Sequence, residues 1–142
     1  DGYIGINTTA PGTTYRFKVN GTAAGTSWTN ISDMRYKKNI VTFESSLEKI
    51  KKLRGVSFDW RVDEFRDNEF SNKKQIGFVA QEIKEVLPEV VTEDEKGFFS
   101  VEYTKVIPVL VNAMQEQQKQ IEEQQKKIKM LIEEVEALKL KK

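Results

Sequence analysis

Ile107 to Leu138 reads IPVLVNAMQEQQKQIEEQQKKIKMLIEEVEAL. Ile107, Met114, Ile121, Ile128 and Val135 recur every seven residues, and Leu110, Gln117, Gln124, Leu131 and Leu138 follow each by three. This is the a/d pattern of a coiled coil, carried through about five heptads. The spacing predicts one helix over 105–142, about 57 Å long at roughly 1.5 Å per residue. A lone helix of that length leaves its apolar stripe in water, so the stripe calls for partners. Ile or Val at a with Leu at d favours two strands, while the Gln layers and Met114 blur that preference. Periodicity alone therefore says oligomer without fixing the number. The competing arrangement is a single helix laid along a globular body, which the polarity of Gln115 to Lys127 disfavours.

Upstream the texture is that of a small mixed domain. SSLEKIKKL carries Leu47, Ile50 and Leu53 on one helical face, and Ser45 with Glu48 fits a capping box, predicting a helix over 45–54 that Gly55 can end. In VSFDWRV, Val56, Phe58, Trp60 and Val62 alternate with polar residues, predicting a half-buried strand over 56–62. DEFRDNEFSNKKQ, 63–75, is a polar loop. Ile76 to Val79 read as a buried strand, Ala80 to Leu87 as a helix stopped by Pro88, and 90–101 as a hairpin turning near Gly97. Trp60 and Phe78 are expected in the core. Residues 1–31 hold five of the eight glycines and a single acid, Asp1. YIGI and YRFKV are short β-type runs there, with TTAPGTT and NGTAAG as turn signals. They read as the last strands of something larger.

The fold expected is therefore α+β. A segment 1–31 ends a β-rich partner, a mixed helix and strand body spans 32–104, and a long helix runs over 105–142.

Composition excludes several functions. Twenty-three Lys and Arg stand against 22 Asp and Glu, a net charge of +1. That balance gives no electrostatic case for nucleic acid or an anionic membrane. No apolar run is long enough to span a bilayer. The opening DGYIGINTT has neither the basic region nor the apolar core of a signal peptide, and without an initiator Met it reads as a piece of a longer chain. There is no Cys and no His. Disulfides, thiolate nucleophiles, Cys-ligated zinc and the commonest general base are all absent, and neither a metal nor another cofactor is expected. Any acid-base or nucleophilic chemistry must use Ser, Thr, Tyr, Lys or carboxylates.

One stretch offers such chemistry. NISDMRYKKNI, Asn30 to Ile40, sets Ser32 beside Asp33 and a few residues before Lys37 and Lys38. The bland reading is a capped turn with solvated charges. Ser near Lys is common, and the spacing alone does not decide.

The order of blocks adds a resemblance. SDMRYKKNI, LEKIKKLRGVSFDW, IGFVAQEIKEVLPEVV, VEYTKVIPVLVNAMQE and then the heptads resemble the C-terminal intramolecular chaperone domain of phage endosialidases, tailspikes and tail fibres. The same domain occurs in the myelin regulatory factor family. The similarity runs from Ser32 to the C-terminus, and residues 1–31 are similar to the fibre segment that often precedes the domain.

The resemblance implies a parallel homotrimer that helps an N-terminal fibre portion of the same polypeptide to fold, then releases itself by autoproteolysis. The bond cut would be Ile31–Ser32, with Ser32 as nucleophile and Lys37 as its partner. Asp33 and Arg35 match the motif and would shape the turn. Gly77, Phe78, Ala80, Gln81 and Glu82 match the second block and would give structural support. Lys37 must be neutral to take the proton, and burial beside Lys38 and Arg35 would favour that form. The setting implied is the host bacterial cytoplasm during phage assembly, with the partner fibre on the virion. Two other functions stand beside this one. A registry module would trimerise without cutting, and a receptor-binding tip would use aromatics such as Phe65 and Phe70.

Overall fold

The computed structural model describes residues 2–8 and 12–140. The chain divides into two units, one made of 1–42 and 53–102, the other of 43–52 and 103–142. The segment 43–52, expected in the body, thus groups with the long helix.

In the first unit β1 (Ile4–Ile6) pairs in parallel with β2 (Phe17–Val19). The TTAPGTT turn signal falls partly on Thr9, Ala10 and Pro11, which lie outside the described residues. A one-turn 3-10 helix, Met34–Tyr36, is the only regular element in 20–42. β3 (Val56–Phe58) pairs antiparallel with β4 (Gln75–Gly77), and β5 (Val91–Glu93) with β6 (Phe99–Val101). Helix α2 (Ala80–Val86) leads into a 3-10 turn begun by Pro88. Its buried residues are Ile83, joined by Leu87 and Val90 just beyond it. The β5–β6 turn closes on Asp94, whose carboxylate accepts the Lys96 and Phe98 amides at 2.9 Å each, with Gly97 in the left-handed region at φ 80°. Helix and hairpin stand close to where the sequence set them.

Three expectations fail in this unit. The strand from Val56 stops at Phe58, and Trp60 is 40% exposed instead of in the core. Its ring lies flat on Phe70, centroids 4.3 Å apart, and edge-on to Phe58 at 5.0 Å. Those aromatics keep one another out of water at the surface. Ile76, expected in a buried strand, is 88% exposed. β4 is only three residues long, so its central side chain faces away from the side that buries Gly77. Phe78 is half-buried. Phe65 meets Phe98 edge-on at 6.1 Å and Phe70 stacks on Trp60, while Phe65 stays 37% and Phe98 55% exposed.

The second unit is α1 (Ser46–Lys52) packed on α3 (Tyr103–Lys139), a helix of 37 residues. Val106, Val109 and Ala113, spaced three and four apart, are buried on one face of α3. Leu47 and Ile50 of α1 are half-buried. The capping box is absent. Ser45 takes φ 55°, away from the extended backbone an N-cap needs, and Glu48 pairs with Lys51. The first amides of α1 donate instead to α3: Ser46 N to Glu116 Oε1 at 3.0 Å and Leu47 N to Glu116 Oε2 at 2.8 Å. These donors hold the Glu116 carboxyl below its ordinary value. Ser46 is fully buried, and its hydroxyl finds no hydrogen-bond partner. The helix ends at Lys52, before Gly55, which does not take a left-handed φ.

Among the described residues no helix is long and apolar enough to cross a membrane. The heptad residues of α3 are exposed in the single chain, Ile121 and Ile128 among them.

Candidate functional site

Everything at the Asn30–Ile40 stretch is built by one short turn. Asp33 has extended backbone and caps Met34–Tyr36, its Oδ1 accepting the Arg35 amide at 2.8 Å. Arg35 folds back on the same carboxylate, Nε to Oδ1 at 3.0 Å and Nη2 to Oδ2 at 2.9 Å. This guanidinium holds the Asp33 carboxyl below the usual carboxylate range. Lys37 closes the turn, its amide donating to the Met34 carbonyl at 3.0 Å. A single 3-10 turn spans about 6 Å. It therefore returns the Lys37 side chain to the residue before the cap, and Lys37 Nζ donates to Ser32 Oγ at 2.7 Å.

The structure thus brings together Ser32, Asp33, Arg35 and Lys37, while Ile31 supplies the preceding carbonyl. Nζ and Oγ stand at proton-transfer distance. With the amine protonated the arrangement is a hydrogen bond; with it neutral, Nζ can take the hydroxyl proton and leave an alkoxide next to a peptide carbonyl.

The surroundings differ from the expectation. Ser32 and Lys37 are both exposed, and the charge of Arg35 is already matched by Asp33. Burial of the lysine among uncompensated cations is absent from the single chain. The reason is local: 20–42 contains no strand or α-helix to cover the turn. Its apolar side chains point outward instead. Trp28 (71%), Ile31 (86%), Met34 (74%) and Tyr36 (78%) are exposed along the segment that carries Ser32 and Lys37, and Ile40 and Val41 follow. Sequence reading missed this run of exposed apolar residues because they follow neither a period of two nor of 3.6.

The second block lies at the β4–α2 junction. Gly77 is buried and Phe78 half-buried, and Gln81 and Glu82 are exposed on the first turn of α2. Glu82 binds Arg54 in a bidentate pair, Oε2 at 3.2 Å from Nε and Oε1 on Nη2, which raises the arginine further above its ordinary value. The pair ties the start of α2 to the residues before β3. Among the described residues no group of three or more His, Cys, Asp or Glu could hold a metal ion.

Residues 32–92 match a peptidase family model described as chaperone of endosialidase. The long tail fiber protein Gp37 of Enterobacteria phage K3 is 36% identical over 101 residues, covering 68% of this chain and 8% of that protein. Its counterpart in Enterobacteria phage T2 is also 36% identical over 101 residues, 7% of its length. That of Escherichia phage AR1 is 31% identical over 87 residues, 60% of this chain and 8% of its own. The chain therefore spans less than a tenth of each of these fibre proteins. A solved structure described as a novel intramolecular chaperon overlays with a TM-score of 0.44 at 19% identity, over 63% of this chain and 99% of that one.

Proposed function

We propose that the chain is the folding helper of a longer phage tail fibre, because residues 32–92 match the family described as chaperone of endosialidase. It trimerises through the heptads of α3, holds three fibre portions in register, and then cuts itself free at Ile31–Ser32. The relatives that carry a similar stretch are tail fibre proteins more than ten times as long as the match. In this reading the chain acts in the host cytoplasm during phage assembly, and the partner fibre sits on the virion.

The observation that supports the cut is the 2.7 Å contact between Lys37 Nζ and Ser32 Oγ, one residue after the scissile carbonyl. Neutral Lys37 removes the hydroxyl proton, and Oγ attacks the Ile31 carbonyl carbon of its own chain or of a neighbour. A C–O bond forms, the Ile31–Ser32 C–N bond breaks, and the proton on Nζ passes to the leaving amine of Ser32. Water then hydrolyses the ester, leaving a carboxylate on Ile31. The exposed run of Trp28, Ile31, Met34 and Tyr36 supports a further step. A second and third copy seated on it would exclude water from the dyad and favour a neutral amine. Cutting would then await assembly.

Coupling the two events has a physical purpose. Strand pairing between distant segments is slow because loop closure precedes the contacts, and a shared coiled coil raises the local concentration of the three chains to roughly millimolar. Removing the coiled coil afterwards leaves a fibre that cannot retrace its folding route.

The test is the mass of the product from a chain carrying its native N-terminal portion. A fragment beginning at Ser32 is expected, absent in Ser32→Ala, Lys37→Ala and Lys37→Arg, since a guanidinium keeps its proton. Lys38→Ala still cuts. Cutting that survives Ser32→Ala removes the dyad, leaving the second reading: a trimeric registry module that never cleaves. The solvent exposure of Ser32 and Lys37 in a single chain favours that alternative.

A further inference from the structure

The segment before Ile31–Ser32 is tied to residues beyond it by side chains that the dyad does not use. Glu95 Oε1 accepts from the Thr13 amide, from Thr13 Oγ1 at 2.6 Å and from the Thr14 amide at 2.5 Å. Tyr15 donates its hydroxyl to Ser100 Oγ at 2.9 Å. Asn20 uses both ends of its amide on one loop. Its Nδ2 donates to the Asp67 carbonyl at 2.8 Å, and its Oδ1 accepts the Glu69 amide at 3.1 Å. The Asn20 backbone joins the same cluster to β1, its amide donating to the Ile6 carbonyl at 3.0 Å and its carbonyl accepting Asn7 Nδ2 at 3.1 Å. Residues 21–31, between these ties and the bond, have no helix or strand and are all exposed.

We propose that these bonds are a latch: after Ile31–Ser32 is cut, residues 12–20 stay docked on Asp67, Glu69, Glu95 and Ser100, and the two products remain together until the latch opens. The proposal rests on the self-cleavage reading for its biological setting and on the hydrogen bonds for its mechanism. Cutting an exposed link eleven residues past Asn20 breaks none of them. It only turns an intramolecular docking into one that, once open, has lost its effective concentration. The seam is polar. A cleft of about 1070 Å³ opens along it, lined from one side by Lys18 and Asn20 and from the other by Arg66 and Phe70. Bonds at such a wet seam exchange with water, so the latch is reversible. The carboxylate of Glu95, facing three donors, is its strongest single point. In an assembly of three chains, three latches must open together, which lengthens retention well beyond that of one.

The test separates the latch from the dyad. The full chain carries Ser32→Ala, an N-terminal affinity tag and a recognition sequence for a site-specific protease in place of residues 22–28, so the cut is external and independent of Lys37. After cutting at pH 7, the C-terminal fragment is expected to co-elute with the tagged one. Asn20→Ala and Glu95→Gln each shorten the retention half-life about tenfold, and together by about the product. The Glu69 amide, whose acceptor is Asn20, stays protected from hydrogen exchange in the cut parent and loses protection in Asn20→Ala, which reads the latch without depending on release. Fragments that separate at once in the parent, or variants that separate at the parental rate with Glu69 still protected, overturn the proposal.

Discussion

Two stretches of α3 present apolar side chains in the same helical geometry and meet opposite fates. In 106–113, Val106, Val109 and Ala113 are at most 4% exposed. In 121–138, Ile121, Ile128, Leu131, Val135 and Leu138 are at least 40% exposed. The first face is narrow and includes a small residue, which lets a short helix approach closely. The second is a longer stripe of large side chains for which the chain itself supplies no cover. One face is satisfied within the chain and the other is left exposed; if, as proposed, copies of the chain cover the second, the two should respond to mutation in different observables.

The largest effect should come from the stripe. Ile128→Asp places one charge per chain in an apolar layer without a partner, and association should be abolished. Light scattering at micromolar concentration should read a trimer for the parent and a monomer for the variant, while far-UV dichroism of the remaining fold persists. A monomeric parent would break the comparison outright. Val109→Ala should act in the other observable. It opens a small cavity on the buried face of α3 and should cost about 1–3 kcal/mol of unfolding free energy, leaving the oligomeric state alone. Equal changes in both observables from either variant would mean the two faces are one interface.

Glu116→Gln is a smaller perturbation. The carboxylate that accepts the Ser46 and Leu47 amides loses its charge, and the melting temperature should fall by a few degrees. The pH dependence has a definite sign. Because the folded carboxyl titrates below the usual value of 4.5, its contribution is complete above that value and is lost as pH falls through the lower folded one. The parent should therefore approach the stability of Glu116→Gln below about pH 4.5, and a gap that widens on acidification would contradict the cap. The smallest effect belongs to Ser46→Ala. Removing a buried hydroxyl without a partner should be neutral or stabilising by up to about 1 kcal/mol in thermal unfolding.

What could be read from the sequence follows from how local each signal is. The long helix announces itself through a spacing of seven, and α2 through the Pro88 that stops it. The spacing alone did not single out Ser32 with Lys37; the family resemblance did, and the turn sets Lys37 Nζ 2.7 Å from Ser32 Oγ. The faces of short strands were not. In a three-residue β4 no alternation can be sampled, and Ile76 was assigned to the wrong side. Trp60 was assigned to a core from a pattern that continued past the end of its strand. The cap of α1 was misassigned to Ser45 because its true acceptor sits elsewhere in the chain. The docking of Thr13 on Glu95 left no trace at all, since no periodicity links residues so distant.

The Glu116 cap has one more consequence, for a chain made from its N-terminus forward. The residues it joins, Ser46 and Glu116, are 70 positions apart. At about 5–20 residues per second, α1 leaves the ribosome several seconds before its acceptor exists. During that delay a seven-residue helix, too short to hold alone, has unpaired first-turn amides. The second unit can close only once Glu116 has been made, 70 residues after Ser46, so its closure reports that synthesis has passed that point.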